Sequence, residues 1–306
     1  MMFSRQQRLH QTLPVRSRIL AGIRRFFIEN QYIEVETPIC IPAPLPEPHI
    51  YPPSAAGGYL QPSPEACMKP LLAAGFEKIF QICKCFRKNE RGGRHLPEFS
   101  MLEWYAAGHT YTDLMHTCEA MFEKIGQTLG LPIEIEYQEN LIDLTRPWRL
   151  MTVSEAFDRY GTADMETAIR EESFDEIMGL EIEPNLGLQQ PVFLYDYPAE
   201  TSPLAAPKPE NPMLAQRFEL YIAGLEICNG FTELTDPEFQ QTRFENELAR
   251  RRAAGLPTYP FPDRFLKALR SLPDAAGCAL GTDRLMMLFT DAKSIDEVVA
   301  FTPETI

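Results

Sequence analysis

The chain has 306 residues and a mass of 34.9 kDa, with 44% apolar and 24% charged residues, which is the composition of an ordinary globular protein. It contains no apolar run close to the ~20 residues that span a bilayer, and its polar N-terminus predicts no secretory signal. The net charge of -14 disfavours nucleic acid as the usual partner, and seven cysteines, an odd number in a long chain, indicate reduced thiols in a cytoplasmic protein.

The N-terminal half of the chain predicts helices on either side of a long hairpin. Ile19, Ile23 and Phe27 lie on one helical face, and Gly130 ends a second amphipathic segment. The predicted elements are a helix at 16–29, strands at 32–36, 76–87 and 98–105, and a helix at 114–129. A polar, basic loop joins the two long strands, so we expect an antiparallel hairpin.

The C-terminal half predicts further strands and capped helices. Thr152 and Glu155 fit a capping box, and Asp236 is a suitable N-cap. The predicted elements are small helices at 151–187, a strand-turn-strand at 218–234, a helix from 237, a strand at 278–280 and a helix from 282. Three arginines at 250–252 are predicted to form a solvated helix end, where the helix dipole favours positive charge.

Hairpins connected by helices, without regular alternation of strand and helix, indicate an α+β fold. We expect an antiparallel sheet flanked by helices, in one domain over residues 1–306 with 151–187 as a peripheral helical insertion. Cys83 and Cys85 have no second cysteine pair nearby in the sequence, so they are predicted to be structural thiols.

Strand parity predicts that aromatic, acidic and basic side chains can share one face of the hairpin. Phe99, Glu103 and Tyr105 share a face of the second strand, and Arg87 follows the first strand on a face that could coincide with it. A buried arginine and glutamate are unfavourable unless they pair or meet a ligand. The hairpin alone therefore leaves two interpretations open, a plain salt bridge and a ligand site.

Carboxylates and an arginine in the C-terminal half point to a phosphate-bearing ligand. Glu219 and Glu226 flank a predicted turn, where carboxylate oxygens could hold Mg²⁺ or recognise an amine. Arg284 lies in the first turn of a predicted helix, a position that suits a phosphate. The chain contains neither GxxxxGK[ST] nor GxGxxG, so the phosphates of a nucleotide must be held by side chains on a sheet.

The strand after that turn presents a conflict of parity. Asn229, Phe231 and Glu233 share one face, whereas Glu226 has the opposite parity. One extra residue in the strand would bring all of them to the same site. We therefore predict a β-bulge near residues 227–228.

Several motifs together resemble the catalytic domain of class II aminoacyl-tRNA synthetases, specifically lysyl-tRNA synthetase. The resemblance runs from about Val15 to Phe301. Its motifs lie at 16–38, 86–105 and 281–288, and Asn229-Gly230-Phe231-Thr232-Glu233-Leu234 is similar to a lysine-type signature. One motif would be weak evidence, but all of them in the family's order make a chance match very improbable.

For the nucleotide, the resemblance implies ATP and Mg²⁺ as cofactors. Arg87 would bind the α-phosphate and Arg284 would lie near the β- and γ-phosphates, so these two are the implied catalytic residues. Phe99 would stack on adenine, and Glu219 and Glu226 would hold the magnesium ion. The other implied nucleotide contacts are Asn89, Glu90, Arg94 and His95.

For the amino acid, the resemblance implies a lysine-like substrate, and a cationic substrate needs buried carboxylates. Glu65 would take the amino group of the substrate. The other implied pocket residues are Ser63, Glu103, Tyr105, Asn229, Phe231, Glu233 and Ala279. Ala279 stands where lysyl-tRNA synthetases typically have glycine, and its methyl group would reshape the pocket floor. The choice between lysine and (R)-β-lysine stays open.

The resemblance also bears on the acceptor and the assembly. Only about fourteen residues precede the first motif, so we expect no anticodon-binding OB domain and tRNA is disfavoured as a partner. The truncated members of this family are elongation factor P lysine ligases, which implies that protein as the acceptor. The first motif implies a homodimer.

Two alternatives stay open because the second motif departs from the family pattern. Asn89 and Leu96 stand where the family usually has glutamate and asparagine. One alternative is a synthetase-like enzyme that charges tRNA or another protein. The other is a non-catalytic paralog that binds ATP and lysine.

Overall fold

An eight-stranded sheet lies at the centre of the computed structural model, which describes residues 2–131 and 133–305. The strands in chain order are β1 (Ile33–Glu34), β2 (Cys40–Ile41), β3 (Ser54–Ala55), β4 (Gly58–Leu60), β5 (Lys78–Phe86), β6 (Glu98–Ala107), β7 (Glu134–Tyr137), β8 (Asn140–Asp143), β9 (Arg149–Thr152), β10 (Val192–Tyr195), β11 (Pro207–Lys208), β12 (Asn211–Ala215), β13 (Arg217–Ile222), β14 (Leu225–Thr232) and β15 (Ala275–Gly281). The helices are α1 (Met2–Glu29), α2 (Glu65–Ala73), α3 (Tyr111–Leu129), α4 (Val153–Tyr160), α5 (Met165–Arg170), α6 (Phe174–Ile177), α7 (Pro237–Ala253), α8 (Asp263–Leu269) and α9 (Thr282–Phe289).

The order of strands in the central sheet is β1-β5-β6-β15-β14-β13-β10-β9. Its middle pairs are antiparallel, as the sequence predicts, while the outermost pairs, β1 with β5 and β9 with β10, are parallel. The α+β class is confirmed. Strands β9 and β10 were not predicted, because Arg149–Thr152 and Val192–Tyr195 are too short to show a clear alternation.

The two faces of the hairpin β5–β6 have different roles. Trp104 is fully buried and packs with Phe27, which also stacks on Phe80 at a centroid distance of 4.9 Å. This face belongs to a core shared with α1, α3 and α9. Each large apolar side chain buried there contributes roughly 1.5–3 kcal/mol. The opposite face carries Glu103, opposite Gln81 in the ladder, and is free to form a site.

Helix α1 is longer than its predicted range of 16–29, since it begins at Met2 and continues through Pro14. The hydroxyl of Thr12 donates to the carbonyl of Glu297 at 3.0 Å, which ties the N-terminal part of the helix to the C-terminal region. The sequence did not indicate this part because its residues are mostly polar, and a proline usually breaks a helix.

The predicted caps and turn are confirmed. The side chain of Thr152 accepts from the Glu155 amide at 3.1 Å, and the Glu155 carboxylate accepts from the Thr152 amide at 2.8 Å. Asp236 accepts from two amides in the first turn of α7. The β13–β14 turn lies at Ala223 and Gly224, which both have positive φ as a tight two-residue hairpin turn requires.

The predicted β-bulge is confirmed in β14. Leu220 pairs with Cys228, but the next residue, Tyr221, pairs with Glu226, so Ile227 is the extra residue. Because one residue is inserted, Glu226 and Asn229 both reach the same side of the sheet.

The prediction of a solvated arginine cluster at 250–252 is wrong for its central member. Arg251 is 1% exposed and pairs with Glu247 at 2.9 Å. Its guanidinium also donates to the backbone carbonyls of Glu47 and Ile50. Packing of α7 against the proline-rich loop therefore buries this arginine, whereas the helix dipole alone suggested a solvated helix end.

Within the part of the chain that the structure describes, no helix combines the length and the apolar character needed to cross a membrane.

Candidate active site

A cavity of about 870 Å³ lies over the sheet face that carries Glu103. It brings together nearly all of the site residues predicted from the sequence. Those that line it are Ser63, Glu65, Arg87, Glu90, Arg94, His95, Phe99, Glu103, Tyr105, Glu219, Glu226, Asn229, Phe231, Ala279 and Arg284. The two arginines on which the sequence argument depended therefore open onto the same cavity as the carboxylates.

Cross-strand register explains why distant residues meet on the cavity floor. Glu103 of β6 pairs with Ala279 of β15, Ala279 pairs with Asn229 of β14, and Asn229 pairs with Glu219 of β13. Because directly opposed residues on neighbouring strands share a face, these four form one row across the sheet. Ala279 is the small residue between Glu103 and Asn229, so its methyl group forms part of the floor.

The closed end of the cavity is built around Glu103, which is 2% exposed. Its carboxylate accepts hydrogen bonds from the Ser63 hydroxyl at 2.8 Å and from the Tyr105 hydroxyl at 2.5 Å. Burial and the nearby charge of Glu65 raise the pKa of Glu103 to about 8. A positive charge from a ligand would favour the ionised form of this carboxyl group.

Lys69 of α2 lies behind this end of the cavity, and the sequence argument did not identify it. Its ammonium is 1% exposed, lies 2.5 Å from a carboxylate oxygen of Glu233 and also pairs with Glu65. Although burial opposes the charged form, the charges of Glu233 and Glu65 raise the pKa of Lys69, so it stays a cation. The spacing of Glu65 and Lys69, four residues apart in a helix, is the sequence signal that could have revealed the pair.

Glu233 does not line the cavity, because its carboxylate points to Lys69 rather than to the open space. Burial raises the pKa of Glu233 to about 8 against the lowering effect of Lys69. Three carboxylates from separate segments, Glu65, Glu103 and Glu233, thus surround the closed end.

The open end of the cavity carries guanidinium groups. Arg87 lies over the ring of Phe99, with 5.2 Å between the guanidinium carbon and the ring centroid, and it is 3.7 Å from Glu90. Arg284 pairs with the Glu226 carboxylate at 2.9 Å. Together they form a basic region beside the acidic closed end.

The loop 88–97 adds exposed side chains to this basic region. His95 contacts the guanidinium of Arg284, and Arg94 donates to the backbone carbonyl of Gly224 at 2.9 Å. Partial desolvation, followed by the charge of Arg284, lowers the pKa of His95 to about 4. Its imidazole is therefore neutral near pH 7.

Asn89 is in the same loop but does not line the cavity. It is exposed, and with a φ of 64° it lies in a turn of the loop. Glu90, the next residue, does line the cavity.

Glu219 and Glu226 fit a hard divalent cation by the chemistry of their oxygen donors. Glu219 accepts hydrogen bonds from Tyr197 and Tyr221, each at 2.6 Å, and pairs with Arg217 at 2.5 Å. These bonds fix its orientation towards the cavity floor.

Glu183 is a third carboxylate beside this pair, and the sequence argument missed it. Burial, and then the charges of Glu226 and Glu219, raise the pKa of Glu183 to about 7. The mutual repulsion of three acidic groups is what a bound cation would relieve. No pattern in the sequence marked Glu183, because it lies in an irregular helical segment after α6.

Comparison with known proteins agrees with this geometry. The family model for tRNA synthetases class II (D, K and N) matches residues 1–305, and the chain belongs to that family. It is 39% identical to an elongation factor P--(R)-beta-lysine ligase of Erwinia tasmaniensis, over 94% of this chain and 93% of the relative. A relative of the same name from Pectobacterium carotovorum is 38% identical, over 94% of each chain.

A lysine--tRNA ligase of a Psychrobacter species is 36% identical over 95% of this chain. The chain spans 62% of the length of that relative. Both names contain a lysine-type amino acid, and they differ in the second partner, tRNA or elongation factor P.

Proposed function

We propose that this protein is an ATP-dependent, AMP-forming ligase that activates lysine or (R)-β-lysine and transfers it to a lysine side chain of elongation factor P. The observation that carries the proposal is the charge balance at the closed end of the cavity. Glu65, Glu103 and Glu233 converge there, and Lys69 is the ammonium that pairs with two of them. A second ammonium, from a lysine-like substrate, would stabilise the remaining buried carboxylate.

The open end supports the nucleotide part of the proposal. Arg87 would contact the α-phosphate of ATP and Arg284 the outer phosphates, because both open onto the cavity beside the acidic end. Phe99, next to Arg87, would stack on adenine. Mg²⁺ would be held by Glu219 and Glu226, and when bound it would neutralise phosphate charge.

Positioning and electrostatics account for the activation step. The carboxylate of the bound amino acid attacks the α-phosphorus, and pyrophosphate leaves. Arg87 stabilises the charge that develops on the phosphate, an effect that typically contributes 10²–10³-fold or about 2.7–4 kcal/mol. The floor row from Glu103 to Glu219 holds the amino acid beside the phosphate.

The acceptor is supported by the relatives that this chain matches nearly end to end, which are named elongation factor P--(R)-beta-lysine ligases. The proposal implies a cytoplasmic enzyme, where ATP and a translation factor are available. We take residues 1–306 as one synthetase-like catalytic domain with 151–187 as an insertion, since side chains of α4–α6 form a separate core cluster against Val192, Leu194 and Tyr221 of the central sheet.

A homodimer through the first motif is part of the proposal. Ile28, Ile33 and Ile39 are 59%, 51% and 46% exposed, which leaves an apolar surface at the end of α1 and the start of the sheet. Sedimentation at several concentrations would measure the mass of the species in solution, and a monomer throughout would contradict this part.

ATP–pyrophosphate exchange tests the activation step, with lysine and (R)-β-lysine compared side by side. Labelled amino acid is then offered to purified elongation factor P and, separately, to bulk tRNA. We expect exchange with at least one isomer and label on the protein. Label on tRNA alone would favour the lysine--tRNA ligase activity, and no exchange with either isomer would leave a binding protein.

A further inference from the structure

Among the cavity carboxylates that are at least partly buried, Glu47 differs from the others in having no partner within the described residues. Within residues 2–131 and 133–305, no hydrogen bond or ion pair engages its carboxylate, although it lines the cavity and is half-buried. By contrast, Glu65 pairs with Lys69 and Glu103 accepts two hydrogen bonds. A half-buried carboxylate without a partner is unfavourable unless it meets something that enters the cavity.

The backbone around Glu47 is held firmly, so the free carboxylate is not a consequence of a loose loop. Pro46 and Pro48 flank it and restrict the backbone on both sides. The buried guanidinium of Arg251 donates to the carbonyls of Glu47 and Ile50, the latter at 2.9 Å. The segment is thus clamped to α7, and the Glu47 side chain is presented to the cavity.

Glu47 lines the same cavity as Glu65 of the closed end and Arg87 of the open end. The charge of Glu65, at the amine end, and the charge of Arg87, at the phosphate end, both act on it. In the proposed reaction, the bond that joins the amino acid to the α-phosphate must lie between these ends. Glu47 is more exposed than Glu65 or Glu103, so its carboxylate is the more accessible one to a group that enters the cavity from solvent.

From this geometry we infer that Glu47 is the general base for the transfer step, an assignment that rests on the proposed function. The neutral amine of the acceptor lysine attacks the carbonyl carbon of the aminoacyl-adenylate, and a C–N bond forms. The C–O bond to the phosphate breaks, and AMP leaves with the electron pair. The proton that the amine nitrogen loses passes to the Glu47 carboxylate.

The acidity of Glu47 is consistent with that role. Burial and the charge of Glu65 raise its pKa to about 7, close to the value at which a base works best near neutral pH. The charged groups that face it are Glu65, Arg87, Lys69 and Arg217. The activation step needs no base, because a carboxylate is already a nucleophile, so Glu47 should matter for transfer alone.

The test separates the two half-reactions in Glu47→Gln, which keeps the shape of the side chain. We expect ATP–pyrophosphate exchange within about twofold of the parent protein. Single-turnover transfer from preformed adenylate to elongation factor P should fall by about 10²–10⁴-fold. Deprotonation of the acceptor amine, with an ordinary pKa of ~10.4, makes the transfer rate rise with pH in both proteins. Ionisation of the base should add a steeper pH dependence below about 7 in the parent, and the variant should lack that addition.

Two further variants complete the test. Glu47→Asp keeps a carboxylate one methylene shorter and should recover part of the transfer rate. Glu200→Gln removes a solvent-exposed carboxylate at the cavity rim that, in the described part of the chain, also has no hydrogen bond or ion pair, and both half-reactions should stay unchanged.

Two results would overturn the assignment while leaving the proposed function intact. One is unchanged transfer in Glu47→Gln. The other is an equal loss of exchange and transfer in both Glu47 variants, which would make Glu47 a group that binds the amino acid. If the parent protein itself showed no exchange, the proposed function would fail, and the assignment of a base would fail with it.

Discussion

The two ends of the cavity carry opposite charges and differ in how far those charges are buried. At the closed end, Glu103 and Glu233 are 2% and 3% exposed, so their charges must be compensated by the protein itself. At the open end, the side chains of Arg87 and Arg284 are 25% and 19% exposed, so water and neighbouring groups share the compensation. Charged groups lose more solvation when they are buried deeply, and this difference governs what each residue does for the protein.

A predicted binding residue can therefore also be structural. Glu233 is fixed by Lys69 before any substrate arrives, and substitutions at this end should therefore affect folding. Arg284 pairs with Glu226 and also donates to backbone carbonyls, but its side chain stays 19% exposed at the rim of the cavity, so its loss should affect activity more than folding. The predictions below test that division.

Removal of Lys69 should have the largest effect on stability. Lys69→Met keeps an apolar stem but leaves two buried carboxylates without their counter-ion, which typically costs about 3–5 kcal/mol. Lys124→Met is the matched control, because Lys124 pairs with Glu29 at an exposed position where an ion pair contributes about 0–1 kcal/mol. Urea unfolding of both variants measures the difference. Equal, small losses would show that the closed end does not depend on Lys69.

Removal of Arg284 should mainly weaken the reaction with ATP. In Arg284→Ala, kcat/KM for ATP in pyrophosphate exchange should fall by about 10²–10³-fold, the effect of losing a positioned donor to developing charge. The free energy of unfolding should change much less than in Lys69→Met.

The control for this variant is Arg91→Ala in the neighbouring loop. Arg91 pairs with Glu304 at 2.9 Å and does not line the cavity, so kcat/KM should stay within about twofold. An equal loss in both variants would show that general basic charge, and not the position of Arg284, supports the reaction.

The sequence predicted the row of residues on the cavity floor because strand parity is a local property. Alternation in β6 and β14 placed Glu103 and Asn229 on the correct faces, and the conflict at Glu226 predicted the bulge. The sequence did not reveal Lys69, since no helix was predicted over Glu65–Ala73, and Glu233, one of its two partners, is far away in the chain.

The environment of Arg251 was predicted wrongly for the same physical reason. Helix periodicity and the helix dipole describe the helix by itself, whereas the burial of Arg251 depends on the loop that packs across it. Residues whose environment comes from a second, distant segment were therefore beyond local reasoning.

Ala279 offers a smaller, purely steric test at the floor of the closed end. Ala279→Gly removes the methyl group between Glu103 and Asn229, and we expect the ratio of kcat/KM for the two lysine isomers to shift towards lysine. The gain or loss of one small group in a pocket typically changes the discrimination between two substrates by about 1–3 kcal/mol. Ala276→Gly, a buried position of the opposite parity on the same strand, is the control and should leave the ratio unchanged. A shift in both variants would indicate a general loosening of β15.

The smallest effect concerns the protonation of His95 at the open end. Its pKa, about 4, is below the ordinary value of 6.5, so between these pH values the unfolded chain binds more protons than the folded one. The contribution of His95 to the free energy of unfolding therefore increases as the pH rises from about 4 to 6.5, and it decreases as the pH falls through the same range. The effect is weak because His95 is exposed and water screens its charge.

A titration of the His95 ring followed by NMR, in the parent and in Arg284→Ala, separates the two causes of the low pKa. Desolvation should persist in the variant, while repulsion from the guanidinium disappears, so the pKa should rise part of the way towards 6.5. A full return to 6.5 would assign the whole effect to Arg284. No change would show that the open end behaves like the closed one, with burial rather than neighbouring charge deciding protonation, and the division between the two ends would then not hold.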